Sequence, residues 1–242
     1  MLSNQTRSTK SRPYRMRRRA VLVDQTRQRI TEAAVRLHTT VGPAGTSIAS
    51  VAGEAGVTRL TVYRHFADLD ALFEACRAHW FTRNPQPDAG AWLAIPDLEE
   101  RAQRAFTELY GWYRDHADEL YPIYRDAASM PRTAQQATAN GNRMLADALV
   151  AGHAGTDPDG RLLLAVARHL VGFWTWHSLV VQQDLEDREA VAVAVRLLTA
   201  MASDGRRSGD SDAALAAQDR AAARHAPALP ESGSTRPPVA RI

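Results

Sequence analysis

The chain of 242 residues has almost no cysteine and almost no lysine. Cys76 stands alone, which excludes an internal disulfide framework and any cysteine-rich zinc site. Its expected compartment is therefore the reducing cytoplasm. Lys10 is the only lysine, so arginine carries nearly all of the positive charge. No run of about 18 apolar residues occurs, so no membrane-spanning helix is expected. The basic N-terminus lacks the apolar stretch of a secretory signal. Also missing are a Gly-x-Ser-x-Gly turn, a phosphate-binding loop, a dinucleotide glycine pattern and a His-Glu-x-x-His helix. Without them no enzyme activity, cofactor or metal is expected. His169 and His177 lie eight apart with no acid at ligand spacing, so they do not read as a zinc pair. Asp115, His116, Asp118 and Glu119 read as a solvated helix end.

What is present is an uneven charge distribution. Arg7, Lys10, Arg12, Arg15, Arg17, Arg18 and Arg19 place +7 on the first twenty residues, with no acid among them. Residues 21–84 carry +1, so a total of +3 leaves −5 on the remainder. A basic end on an acidic body suits a polyanionic partner. A solvated basic arm accounts for the charge equally well.

The patterning predicts an all-α protein, because no segment alternates with period two. Residues 1–20 are polar, contain Pro13 and read as a flexible basic arm. Ile30, Ala33, Ala34, Leu37 and Val41 then form one helix face. Gly42, Pro43 and Gly45 stop that helix. A short helix is predicted from Ser47 to Ala55 with Thr46 as N-cap, and Gly56 ends it. Thr58 caps a helix running to about Phe66. Asp68 caps a fourth, with Leu69, Leu72, Phe73, Cys76 and Trp80 in a stripe. Residues 84–96 are rich in proline and read as an inter-domain link.

Asp97 with Glu100 opens a helix bearing Leu98, Ala102, Ala105, Phe106, Leu109, Trp112, Tyr113 and His116. Pro122 and Pro131 bracket an irregular helical stretch, and another helix covers roughly 133–152. Asp157-Pro158 starts a strongly apolar helix reaching Val180. Asp184 is read as the cap of a last helix containing Val191, Ala194, Val195, Leu198 and Met201. The expected division is arm 1–20, DNA-binding domain 21–84, helical ligand-binding and dimerisation domain 85–203, and disordered tail 204–242.

The most informative block is TSIASVAGEAGVTRLTVYRHF, residues 46–66. It is helix, glycine turn, helix, with apolar residues placed to lock the pair. The second helix has a hydrogen-bonding face of Thr58, Arg59, Thr61, Tyr63, Arg64 and His65, as a helix entering a major groove requires. Phe66 reads as core. Tyr63 reads as a packed ring with its hydroxyl outward.

The stretch from Arg27 to Phe73 resembles the N-terminal domain of TetR-type transcription regulators. The resemblance is carried by Ala33 to Leu37, Val41-Gly42, Thr46-Ser47, Ala55-Gly56-Val57, Thr61 to Phe66 and Leu72-Phe73. It implies a three-helix helix-turn-helix domain on a helical body that binds a small effector and forms a homodimer. It also implies double-stranded DNA with a palindromic operator as partner. Thr46 or Ser47, Thr58, Tyr63 and His65 would contact phosphates, while Arg59 and Thr61 would read bases, Arg59 on guanine. Arg64 would contact base or phosphate.

Three positions depart from the family pattern. Leu69 replaces a frequent phosphate-binding lysine, Leu60 a frequent glycine, and His38 a common aromatic. The arm, with Arg17, Arg18 and Arg19, is expected to supply the lost phosphate contact. In the body, Phe106, Tyr110, Tyr113, Phe173, Trp174 and His177 are candidates to line an effector cavity for a flat apolar or cationic molecule; core packing is the alternative role for such aromatic stripes. The faces Leu162–Val180 and Val191–Met201 are expected to form the dimer. The overall expectation is a ligand-responsive repressor. The alternatives are an activator, a ligand-independent regulator, or an architectural DNA-binding protein without operator specificity.

Overall fold

The computed structural model describes residues 11–203, and their side chains from 16 onward. The described residues are all helical or irregular, with no strand among them. None of the described helices is long and apolar enough to cross a membrane.

Helix α1 spans Ser11–Thr40. Ten residues expected in the flexible arm are thus its first turns. Pro13 lies in the opening turn, where a missing N–H breaks no helical bond. Arg7 and Lys10 lie outside the described residues. Helix α1 ends at Gly42, whose φ of +97° suits glycine and whose N–H donates back to Leu37 at 3.1 Å. A short 3₁₀ turn, Pro43–Gly45, leads to α2, Ile48–Glu54.

The cap of α2 is Ser47, not Thr46. Its hydroxyl accepts the Ser50 N–H, while its own N–H donates to the Ser50 hydroxyl. Thr46 instead donates its hydroxyl to the Gly42 carbonyl at 2.8 Å. Gly56, at φ +66°, makes the turn into α3, Arg59–His65. Thr58 caps α3 and Asp68 caps α4, Leu69–Arg83, each accepting an N–H three residues on. Ile30, Ala33, Ala34, Val51, Ala52, Val62, Phe66, Leu72 and Cys76 form the core of these four helices. Leu69 stands exposed, outside that stripe.

The second core begins with Trp80 near the end of α4. The expected link is packed structure. It contains α5, Ala89–Trp92, whose fully buried Trp92 donates its indole N–H to Glu108 at 2.8 Å. Helices α6 (Leu98–Asp115), α7 (Ala117–Arg125) and α8 (Arg132–Leu149) follow, with a 3₁₀ turn Ala127–Ser129 after α7. Arg101 is a buried cation in this core. Its guanidinium donates to the carbonyls of Ile95 and Ala151 at 2.8 and 2.7 Å, fastening the end of α8 to the start of α6.

Helix α9, Pro158–Leu170, is capped by Asp157 as the sequence predicts. It stops sooner than predicted. At its end the buried hydroxyls of Tyr110 and Tyr113 donate to the carbonyls of Leu170 and Val171 at 2.9 and 2.8 Å. After Gly172 a new helix, α10 (Phe173–His177), runs into a wide π turn, Ser178–Gln182. The last helix among the described residues, α11, occupies 187–203. Asp184 sits before it at φ +54° rather than capping it, and the Glu186 N–H is taken by the Glu189 carboxylate. The tail 204–242 lies outside the described residues.

Candidate nucleic-acid interface and interdomain cavity

Helix α3 has only two turns, and its two faces differ sharply. Val62 and Phe66 are buried against α1, α2 and α4. Arg59, Leu60, Tyr63 and Arg64 fall at i, i+1, i+4 and i+5, and all four are exposed. Tyr63 is 57% exposed, so its ring stands out from the surface rather than packing as expected. Thr61 and His65 flank this face and are half-buried. Thr58 is exposed at the start of α3, its hydroxyl occupied as the cap. Ser47 is exposed at the start of α2, whereas Thr46 is half-buried and turned into the preceding loop.

Two features of this surface come from the fold. Leu60 is the most exposed large apolar residue of α3, at 70%. Arg27 of α1 donates to the His65 carbonyl and lays its guanidinium 4.1 Å over the Phe66 ring, so α1 holds the end of α3. Arg17, Arg18 and Arg19 are exposed, and they ride on the helical extension of α1 rather than on a loose arm. They lie roughly 18 Å along the helix axis from Ile30.

Polar contacts join the helix-turn-helix to the body, among them the bond from the Trp80 indole N–H of α4 to the Glu119 carboxylate of α7. The Asp126 carboxylate accepts the Ala44 N–H at 3.0 Å, and Arg125 reaches the Val41 carbonyl at 2.9 Å while pairing with Asp126 at 2.8 Å. Arg125, and then the Ala44 N–H, hold the Asp126 carboxyl below the usual carboxylate range. On α4, Asp70 accepts the Thr133 hydroxyl of α8. Val35 of α1 packs against both cores.

Between these contacts lies a cavity of about 400 Å³, walled by α1, α4, α7 and α8. Its aromatic lining includes His38, Phe73, Trp80, Phe81 and Tyr124. The His38 ring stacks on Phe73 at 4.5 Å, and burial lowers its pKa to about 4, so it is neutral at pH 7. Burial pushes the Cys76 thiol up to about 12. That thiol points to the Thr31 carbonyl at 3.8 Å, as a packing residue would.

The six aromatic and histidine residues expected to line a cavity lie elsewhere. Phe106, Tyr110, Tyr113 and Phe173 are fully buried core, and both tyrosine hydroxyls are spent on backbone carbonyls. Trp174 is half-exposed against Tyr121, and His177 stacks on Tyr121 at 5.3 Å. None of the six lines the cavity. The physical reason is that aromatics repeating on one helix face fill the core, whereas this space opens where helices of two units diverge. A signal for it does exist. Phe73, Cys76, Arg77, Trp80 and Phe81 share one face of α4, and an arginine within an apolar stripe is out of place unless it faces a cavity.

Comparison with known proteins agrees with this architecture. The family of bacterial regulatory proteins of the tetR type matches residues 30–76. A tetR-family transcriptional regulator from Streptomyces coelicolor shares the fold with a TM-score of 0.55 and 20% identity, over 82% of this chain and 89% of that one. A putative tetR family transcription regulator from Shewanella sp. PV-4 aligns with a TM-score of 0.46 and 19% identity, over 71% and 97% of the two chains. The multidrug binding protein EbrR, solved with imidazole, aligns with a TM-score of 0.47 and 26% identity, over 72% and 89%. No curated protein matches. Residues 30–76 thus match an N-terminal domain of the tetR type, and the all-helical body behind them shares its fold with the Streptomyces coelicolor protein.

Proposed function

We propose that the protein is a homodimeric repressor that reads a palindromic operator through α3 and is released by a small hydrophobic or amphipathic effector. The observation that carries this reading is the outward face of α3, where Arg59, Tyr63 and Arg64 project beside one another while Val62 and Phe66 fix the helix. Arg59 reads guanine by a two-pronged hydrogen bond, and Thr61 sits beside it to meet a base edge. Ser47, Thr58, Tyr63 and His65 serve the phosphates. Arg17, Arg18 and Arg19 add backbone contacts from the extension of α1.

Dimerisation uses α9, the α10 segment and α11, where Leu162, Val181 and Leu197 are exposed apolar side chains. A two-fold dimer places its two α3 helices in successive major grooves, about 34–36 Å apart. The effector occupies the interdomain cavity, because its walls belong to both units. A ligand that fits better when the units have shifted lowers the population of correctly spaced recognition helices. The protein acts where the DNA is, in the cytoplasm.

The test is fluorescence anisotropy against DNA from upstream of its own gene, with scrambled competitor, at two salt concentrations. Saturable binding that survives competitor and is lost in Arg59→Ala with Tyr63→Ala is the expected result. Equal, steeply salt-dependent binding to both DNAs would favour an architectural protein instead.

A further inference from the structure

We propose that the interdomain cavity takes an aromatic-bodied molecule with an anionic head, and that Arg77 holds the head. This rests on the reading of that cavity as the effector site, and it names the ligand's chemistry. Arg77 is the one permanent charge in the lining, which contains no aspartate or glutamate. The guanidinium lies 4.9 Å from the Phe81 ring centroid. Among the described residues it makes no ion pair or hydrogen bond with protein, unlike Arg36, Arg83, Arg104, Arg114, Arg125 and Arg168, which all have carboxylate partners.

A half-buried guanidinium on an aromatic wall, with no counter-charge, gains most from a carboxylate or sulfonate that it can grip with two N–H groups. Nearby, the half-buried carboxamides of Gln86 and Asn142 also line the space and have no hydrogen-bond partner among the described residues. They can complete the shell of an anionic oxygen. The body of the ligand meets the aromatic walls in a volume typical of small-molecule sites. His38 adds no second positive charge at neutral pH. The same arginine repels cations, so the cationic ligands that exposed aromatic faces would otherwise attract are excluded here.

The full-length protein is titrated with three naphthalene probes of similar size: anionic anilinonaphthalenesulfonate, neutral N-phenylnaphthylamine, and a cationic naphthylmethyltrimethylammonium. Probe emission and quenching of Trp80 in the wall report binding. The anionic probe is expected to bind at least about tenfold more tightly than the neutral one, to be displaced by naphthoate, and to lose that advantage in Arg77→Gln. Arg77→Lys should retain most of it, and Arg77→Glu should reverse it towards the cation. Circular dichroism verifies that each variant folds, and the wild-type ranking of the three probes stands without any variant.

Equal binding of anionic and neutral probes by the wild type would overturn the inference. So would an anionic preference unchanged in folded Arg77→Gln. If the neutral probe binds equally and still lowers operator affinity, the effector reading survives and only the anion assignment falls. If no probe binds, both fall.

Discussion

Asp126, at the corner after α7, accepts the backbone N–H of Ala44 at 3.0 Å, and so ties the body to the turn that feeds the helix-turn-helix. Arg125 completes the clasp by holding Asp126 and the Val41 carbonyl together. Gly42 lies beneath it. These polar contacts lie next to the cavity proposed for the effector, beside the packing of Val35 against both cores.

Removing the acceptor should loosen the turn locally. In Asp126→Ala, hydrogen exchange at the Ala44 amide is expected to speed up roughly three- to tenfold, with exchange in α6 unchanged. Because the carboxyl is held low by Arg125, the clasp is complete at neutral pH. It is lost as pH falls through the lowered value. An Ala44 amide equally protected in wild type and variant would show that this bond does not hold the turn.

Gly42 is required for two reasons: its φ of +97°, and the absence of a Cβ that would run into the Asp126 carboxylate and Arg125 guanidinium. Gly42→Ala should cost about 1–3 kcal/mol in denaturant unfolding. It should also accelerate Ala44 exchange, since the clash is relieved by opening the clasp. A variant of wild-type stability would argue that the loop adapts without strain.

His38 makes the protein sensitive to mild acid. Its pKa is about 4 when folded and near 6.5 when unfolded, so the unfolded chain binds the extra proton between those values. Stability from neutral His38 is complete above about pH 6.5 and declines as pH falls towards 4, by an amount on the order of 3 kcal/mol. His38→Phe keeps the stack on Phe73 and removes this dependence. The check is the difference in unfolding free energy between variant and wild type from pH 7 to 4.5; a constant difference would contradict the assignment.

Arg101 is a buried cation satisfied by main-chain carbonyls of the turn after α8 and of the turn before α6. Arg101→Met fills similar volume and strands those carbonyls. A loss of about 2–4 kcal/mol is expected, with lower thermal midpoint. Arg104→Met, on the exposed side of the same helix, should change stability by less than about 1 kcal/mol.

What the sequence determined by itself is whatever depends on near neighbours along the chain. The caps Thr58, Asp68 and Asp157 each bind an N–H three residues on, and Gly56 turns where it stands, so the helix-turn-helix was legible without coordinates. Tertiary structure decided what depends on distant partners. Helix α9 ends because hydroxyls 60 and 58 residues earlier take its last carbonyls, which no periodicity reveals. Ser47 displaced Thr46 as a cap because the Thr46 hydroxyl had a carbonyl to reach in the turn behind it. The cavity is walled by residues between Val35 and Asn142, from helices whose divergence is set only when two cores pack against Val35. Arg77 went unremarked in the sequence because its neighbours Phe73, Cys76 and Trp80 read as an ordinary core stripe, and only packing decided that this stripe would face a space.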